Sequence, residues 1–373
     1  MIGSFDWPRL HQTKTFGLPM LLLGPFSILY GGGVKFRLWA YKQRLFQRKS
    51  LPGFVVSIGN ITTGGTGKTP AVVTVAQWAK DEGFRVAVLS RGYGGRNREG
   101  VLEVSDGVVL KSTAVEAGDE PSFLAEKLRG IPVIIAKKRF RAGQYAHERF
   151  GSDFFVLDDG FQHLELERDL DLLLMDASNP LGNQHLLPWG PLREPMEQVR
   201  RANAFILSRF KSDDKSCRIH DWLQREFPKV PLFCADHQPE KLVIPAQNKD
   251  YAPDFLRGKE ILAFAGIANP IAFQKTLEGL GARVVSFSAF RDHHPFQPHD
   301  IEGLIHRQRA CGAQYLVTTE KDWMRIRGLG LYCPELTYLT ISFGFVSQRD
   351  AFFRMIKTGV SNKRAFQGSQ RHG

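Results

Sequence analysis

Lys68 and Thr69 close a Gly-rich stretch, Gly64-Gly65-Thr66-Gly67-Lys68-Thr69, a few residues after the apolar run Phe54-Val55-Val56-Ser57-Ile58. A strand that feeds such a loop into a helix builds a cradle for a nucleoside triphosphate. Glycines let successive backbone N–H groups close around phosphate oxygens, and the positive end of the following helix faces them. In this arrangement Lys68 reaches the β- and γ-phosphates and the Thr69 hydroxyl holds Mg²⁺. The strict spacing asks for a glycine where this chain has Thr62. Gly64, Gly65, Thr66, Gly67, Lys68 and Thr69 are the candidate nucleotide-binding residues.

A second apolar run, Phe154-Phe155-Val156-Leu157, ends in Asp158-Asp159, ninety residues after Lys68. Hard cations take oxygen ligands, and phosphate-loop enzymes deliver an acid to the metal from a strand beside the first. Two adjacent carboxylates repel one another unless a cation sits near them. Asp158 and Asp159 therefore join Thr69 as candidate metal ligands; the alternative is a solvated turn before Gly160. Four further segments are unusual for connecting loops: Ser90-Arg91-Gly92-Tyr93-Gly94-Gly95, Gly118-Asp119-Glu120-Pro121, Gly160-Phe161-Gln162-His163 and Leu187-Pro188-Trp189-Gly190-Pro191-Leu192-Arg193-Glu194-Pro195. The first three fall where a predicted strand ends or a predicted helix begins, the rim at which open α/β sheets bind ligands.

The elements that must position these residues alternate. Strands are expected at 54–58, 84–90, 131–136, 153–158, 170–176 and 203–208, with helices between them. The helix after the phosphate loop is expected to run from Pro70 to about Glu82, since proline's missing N–H is harmless in a first turn. This pattern predicts a P-loop-type α/β fold, a mostly parallel sheet covered by helices. A stretch rich in Pro, Lys and Asp at 236–259 marks a domain boundary. A smaller α/β set follows: strand 260–265, helix 270–280, strand 283–288, helix 299–311 and strand 314–319. The expected organisation is a core domain at 51–235, a second domain at 236–345, and a C-terminal helix with a tail, 346–373, disordered after about 358.

Composition is that of an ordinary globular protein, 43% hydrophobic and 24% charged over 373 residues. Cys217, Cys234, Cys311 and Cys333 form no CxxC pair and no zinc-ligand spacing, which fits a reducing compartment. The formal net charge of +12 is unevenly placed: residues 1–50 carry +7, residues 354–373 carry +5, and the body between them sums to zero. A nucleic-acid-binding enzyme is expected to carry its basic patch on the folded body, so nucleic acid is not an expected partner. Excess at the ends suits anionic lipid head groups.

Residues 15–34 carry no charge and include Met20-Leu21-Leu22-Leu23, long enough to cross a bilayer. Pro19, Pro25 and Gly31-Gly32-Gly33 argue against a straight spanning helix. Lys35-Phe36-Arg37-Leu38-Trp39-Ala40-Tyr41-Lys42 then mixes basic and aromatic residues as interfacial helices do. Residues 1–50 are read as a membrane-associated helical segment, shallow or re-entrant; the alternative is a soluble hairpin packed on the body.

The motifs taken in order, GGTGKTP (64–70), SRGYGG (90–95), GDEP (118–121), DDGFQH (158–163), LLPWGPLREP (186–195), FAGIANP (264–270), FRDHHPF (290–296) and TTEKD (318–322), resemble the tetraacyldisaccharide 4′-kinase family across most of residues 52–325. In that family the loop normally lacks the first glycine of the general pattern, so Thr62 is a family trait. The position of Trp189 commonly holds alanine there.

The resemblance implies transfer of the γ-phosphate of ATP to the 4′-hydroxyl of a tetraacyldisaccharide 1-phosphate in lipid A biosynthesis. It implies Mg²⁺ as cofactor and a place at the cytoplasmic face of the bacterial inner membrane, peripheral or N-terminally anchored. It makes Asp119 the catalytic aspartate, orienting the sugar hydroxyl and taking its proton; without the resemblance, Asp119 reads as an N-cap for a helix at 120–128. It sets one histidine of His293-His294, with His293 favoured, against that aspartate, so that closure of two domains assembles the catalytic set with Lys68. Arg193, Glu194 and His163 become candidates on the acceptor side. An Arg193–Glu194 pair within the loop remains the alternative for the first two, and a second-shell or packed core histidine for His163. Arg91 is a candidate phosphate contact or a surface arginine. The competing class is a membrane-associated P-loop ATPase switch, which shares the loop and the acids but needs no acceptor-side constellation.

Overall fold

The computed structural model describes residues 11, 18–93, 95, 100–330 and 333–371. Residues 1–10 and 12–17 of the N-terminal segment, together with Gly94 in the 90–95 loop, lie outside the described residues. The chain divides into two compact units, Met1–Asp236 with Phe345–Gly373, and His237–Gly344.

In the first unit the strands are β1 (Phe54–Gly59), β2 (Val86–Ser90), β3 (Val101–Ser105), β4 (Val133–Ala136), β5 (Phe154–Asp158), β6 (Leu170–Asp176), β7 (Ala204–Ser208) and the start of β8 (Leu232–Ile244). They lie in the order β8-β7-β6-β1-β5-β2-β4-β3. Every adjacent pair is parallel except β3–β4, which is antiparallel. β1 is central, with Ile58 opposite Asp158 of β5 and Leu172 of β6. All six of its residues are buried, as expected of a parallel strand covered on both faces. Val55 packs with Leu89, Phe155 and Leu157 in one cluster, while Ile61, Phe161, Leu173 and Phe205 build another.

The helices of this unit are α1 (Leu18–Lys42), α2 (Lys68–Asp81), α3 (Ala114–Ala117), α4 (Asp119–Lys127), α5 (Arg139–Phe150) and α6 (Asp214–Glu226). α2 starts two residues before Pro70, with Gly67 as N-cap at φ 85°, a left-handed conformation that glycine adopts without strain. β3 was not predicted: it is a short edge strand with only its last two residues buried.

Two expectations need correction. α1 is one continuous helix of 25 residues that passes through Pro25 and the three glycines. Its side chains are tied to the 186–194 loop, with the Ser27 hydroxyl donating to the Leu186 carbonyl and the Tyr30 hydroxyl to the Arg193 carbonyl. Among the described residues no helix is long and apolar enough to cross a membrane. The tail after 358 is not irregular: a C-terminal helix, Arg349–Arg371, runs through it. Phe352, Phe353, Ile356 and Val360 are buried along one side of that helix, Trp78 of α2 stacks on Phe353, and Lys363 bonds Asp169. Spacings of three and four residues place those apolar groups on one stripe.

The second unit contains the rest of β8, β9 (Lys249–Tyr251), β10 (Glu260–Ala265), β11 (Arg283–Ala289), β12 (Tyr315–Thr319) and β13 (Leu336–Phe345), with α7 (Pro270–Gly279), α8 (Pro298–Ala310) and α9 (Glu320–Ile326). The order is β11-β10-β12-β13-β8, with β9 antiparallel on β8. β10 alternates faces: Ile261, Ala263 and Ala265 pack with Phe273 and Leu277 of α7, and Leu262 and Phe264 with Ile301 and Leu304 of α8.

Candidate active site

The phosphate loop leaves the C-terminal end of β1 and is pinned from two sides. Thr62, buried, forms an antiparallel bridge with Leu192. Thr63 N–H donates to the Pro191 carbonyl at 2.7 Å and Arg193 N–H to the Ile61 carbonyl at 2.8 Å. An extended, β-branched residue suits this bridge, which gives a physical reason for threonine where the general pattern has glycine. On the other side the Ser208 hydroxyl donates to the Thr66 carbonyl at 2.7 Å, and Arg209, itself paired with Asp176, donates to the Gly65 carbonyl.

Lys68 Nζ donates to Asn60 Oδ1 at 3.0 Å and lies 3.4 Å from Asp159 Oδ1. Arg193 Nη1 donates to both Asp159 oxygens, at 2.9 and 2.7 Å. Burial opposes ionisation of Asp159, but the charges of Lys68 and Arg193 overcome it and hold the carboxyl at about 2. Asp158 is the opposite case. It is buried and accepts the Ser90 hydroxyl at 3.0 Å. Burial, with the negative charges of Glu120 and Asp159, pushes it up to about 6 despite Lys68 and Ser90. A cation beside it would relieve that cost. Thr69, Asp158 and Ser90 present only oxygen atoms, the donor set a hard divalent cation takes.

The 90–95 and 114–120 segments meet backbone to backbone. Gly118 has φ 93°, and a Cβ there would lie 2.4 Å from the Tyr93 carbonyl; one on Gly95 would lie 2.3 Å from the Glu116 carbonyl. Only glycine fits such an approach. The N-cap of α4 is Gly118, without a side-chain cap bond, so Asp119 does not have the N-cap role. It is the first residue of the helix, where a carboxylate faces the positive end of the backbone dipole.

The LREP residues part company, which removes the pair within the loop. Arg193 goes to Asp159, whereas the fully buried Glu194 accepts Arg37 of α1 at 3.0 Å and Arg201 at 2.5 Å. Glu194 thus ties α1 to the rim, with its carboxylate enclosed by two arginines. Trp189 stacks face to face on His185, ring centres 3.6 Å apart. His163 is half-buried with its Nε2 lacking a hydrogen-bond partner. Burial, then the charges of Arg139, Arg168, Arg91 and Arg37, press it down to about 3, so it is neutral. Arg91 is exposed at the end of β2.

In the second unit the two histidines differ. His294 packs against Phe290 and Phe296 and bonds Asp300, the carboxylate of the α8 capping box, at 3.1 Å. His293 is half-exposed, has φ 57°, and meets Arg325.

Sequence reasoning missed Asn60, the direct partner of Lys68. It also missed Arg139, a buried arginine whose charge acts on Asp158, Asp159 and His163 and which burial lowers to about 10. Arg139 stands in a basic run, Lys137-Lys138-Arg139-Phe140-Arg141, at the start of α5. Nothing in that string separates it from its neighbours.

A family model described as tetraacyldisaccharide-1-P 4′-kinase matches residues 19–360. A tetraacyldisaccharide 4′-kinase of Syntrophus aciditrophicus is 39% identical over 337 residues, covering 88% of this chain and 90% of the relative. One from Syntrophobacter fumaroxidans is 42% identical over 345 residues, 91% and 88% of the two chains. Among solved structures, LpxK from Aquifex aeolicus in complex with ATP is similar at 32% identity and a TM-score of 0.72, covering 92% of this chain and 100% of that one. With the phosphate loop, the paired aspartates and the 186–195 loop on one unit, and with these matches over most of its length, the chain belongs to the tetraacyldisaccharide-1-P 4′-kinase family.

Proposed function

We propose that this chain transfers the γ-phosphoryl group of ATP to the 4′-hydroxyl of a tetraacylated disaccharide 1-phosphate. The supporting observation is Lys68, at the start of α2, held by Asn60 and by the Asp159 that Arg193 also grips. Lys68 and Arg193 thus converge on one carboxylate beside the phosphate loop, and the γ-phosphate competes with Asp159 for both. Thr69, Asp158 and Asp159 would hold Mg²⁺, which would supply charge neutralisation at the phosphates.

The chain's own residues then position the reactants. Loop amides and Lys68 take the β- and γ-phosphate charge. The sugar oxygen bonds to the γ-phosphorus, the bond from that phosphorus to the β–γ bridging oxygen breaks, and ADP leaves. Asp119 orients the hydroxyl and accepts its proton late, as a loose transition state requires. Arg193 and His163 serve the acceptor side, Arg91 is a phosphate contact, and His293 is a further catalytic residue.

The acceptor's acyl chains put the reaction at a membrane surface, and α1 is the supporting element. It exposes Phe26, Ile28, Leu29, Phe36 and Trp39, beside Lys35, Lys42 and Arg44. Aromatic and basic residues on one exposed helix suit peripheral binding to anionic lipid at the cytoplasmic face. The test is transfer of label from γ-labelled ATP to a detergent-dispersed acceptor, with Asp119→Asn as the inactive control.

A further inference from the structure

The TTEKD and FAGIANP motifs have no part in the account so far, and the second unit brings them together. Asp322 of α9 is fully buried and accepts the Gly266 N–H at 2.9 Å and the Thr319 hydroxyl at 2.8 Å. Its other oxygen accepts Arg325 Nη1 at 2.9 Å, and the same nitrogen donates to the Gly266 carbonyl at 3.1 Å. The Arg325 guanidinium is nearly buried, held by the Asp322 carboxylate and the Gly266 carbonyl. Its remaining Nη2 stands 3.1 Å from His293 Nδ1.

A guanidinium has donors and no acceptor. His293 Nδ1 meets it favourably only as an acceptor, with its lone pair exposed, so the ring's proton must sit on Nε2. That N–H lies on the side of Asp292, 3.9 Å away. The backbone helps to fix the ring: His293 N–H donates to the Gly266 carbonyl at 3.2 Å, the oxygen that Arg325 also binds.

We infer that Arg325, anchored by Asp322, is a positioning residue that holds His293 as a neutral imidazole with its proton on Nε2. His293 then offers a hydrogen-bond donor and no base, so in the transfer it orients or stabilises a carboxylate rather than removing a proton itself. This rests on His293 acting in the reaction, a reading that the same experiment separates from the inference.

The experiment is two-bond ¹H–¹⁵N correlation on the full-length labelled protein at pH 7, with His293 assigned by loss of its signals in His293→Gln. The wild type should show an unprotonated Nδ1 and a protonated Nε2. Arg325→Lys keeps a cation for Asp322 and hence the fold, but one ammonium cannot serve Asp322, Gly266 and His293 together. Its His293 signals should become those of mixed tautomers, with kcat lower by roughly tenfold and the ATP KM within about twofold. Arg325→Gln should do the same. An Nδ1–H tautomer or an imidazolium in the wild type, or unchanged His293 signals in both variants, overturns the inference. Altered signals with wild-type kcat leave the hold of Arg325 on His293 standing and remove His293 from the reaction.

Discussion

Arg193 Nη1 touches both carboxylate oxygens of Asp159, at 2.7 and 2.9 Å, and Lys68 approaches the same carboxylate at 3.4 Å. One side chain comes from the phosphate loop, one from the end of β5 and one from the loop that bridges to Thr62. In the proposed mechanism the carboxylate pre-sets both cations, and an incoming triphosphate is a stronger anion for them to bind.

Arg193→Ala should therefore lower kcat/KM for ATP-dependent transfer by about 10²-fold, the scale for losing one aligned charge at a transition state. Arg193→Lys should recover only part, since a point charge lacks the guanidinium's planar array of donors. Steady-state kinetics at saturating acceptor, beside circular dichroism to establish folding, checks this.

His163 makes a pH prediction. Its pKa falls from the ordinary 6.5 to about 3 in the fold, first by burial and then by four arginines. Below 6.5 the unfolded chain binds a proton that the native protein refuses, so the contribution to stability is complete above 6.5 and is lost as pH falls toward 3. His163→Gln should flatten that part of the stability–pH curve between pH 7 and 4. Urea melts of both proteins across that range, compared as differences, measure it. Parallel curves would contradict the neutral assignment.

Glu194 is a buried charge between Arg37 and Arg201, and burial raises its pKa even against both arginines. Removing the carboxylate leaves Arg201 without its partner beneath the rim. Glu194→Ala should cost about 3 kcal/mol, the low end for a broken buried pair because Arg37 is partly exposed. Protease cleavage within α1 should accelerate in the same variant.

The exposed aromatic groups of α1 predict lipid binding. Phe36→Ser with Trp39→Ser should weaken partition onto vesicles containing anionic phospholipid by at least about tenfold, given roughly 1.5–3 kcal/mol for each large apolar side chain that inserts. Sedimentation with vesicles checks it, and turnover on a short-chain, water-soluble acceptor should be unchanged.

Much of the first unit was legible because its signals are local. A parallel strand shows as an apolar run, and a phosphate loop as glycines before Lys-Thr. What escaped depends on distant partners. Gly31, Gly32, Gly33 and Pro25 carry propensity costs of about 1 and 3 kcal/mol that argue against a straight spanning helix, yet α1 is continuous, held by Leu186, Arg193 and Glu194, about 160 residues away. The C-terminal helix was expected, but its run past 358 was hidden by the basic residues there. Arg139 and Asn60 look ordinary until β4 and β1 deliver them beside Asp158 and Lys68. Asp119 was legible as a candidate, but not its place as the first residue of α4 rather than the cap.

The central claim is that the phosphate leaving this loop goes directly to a lipid hydroxyl that Asp119 orients and deprotonates. The most direct measurement is incubation of the full chain with γ-labelled ATP, Mg²⁺ and tetraacyldisaccharide 1-phosphate in mixed micelles, followed by separation of lipid from inorganic phosphate. The account predicts label in a bisphosphorylated lipid, with Asp119→Asn at least about 10²-fold slower and its ATP KM near wild type. Label released only as inorganic phosphate, or Asp119→Asn transferring at the wild-type rate, would contradict it.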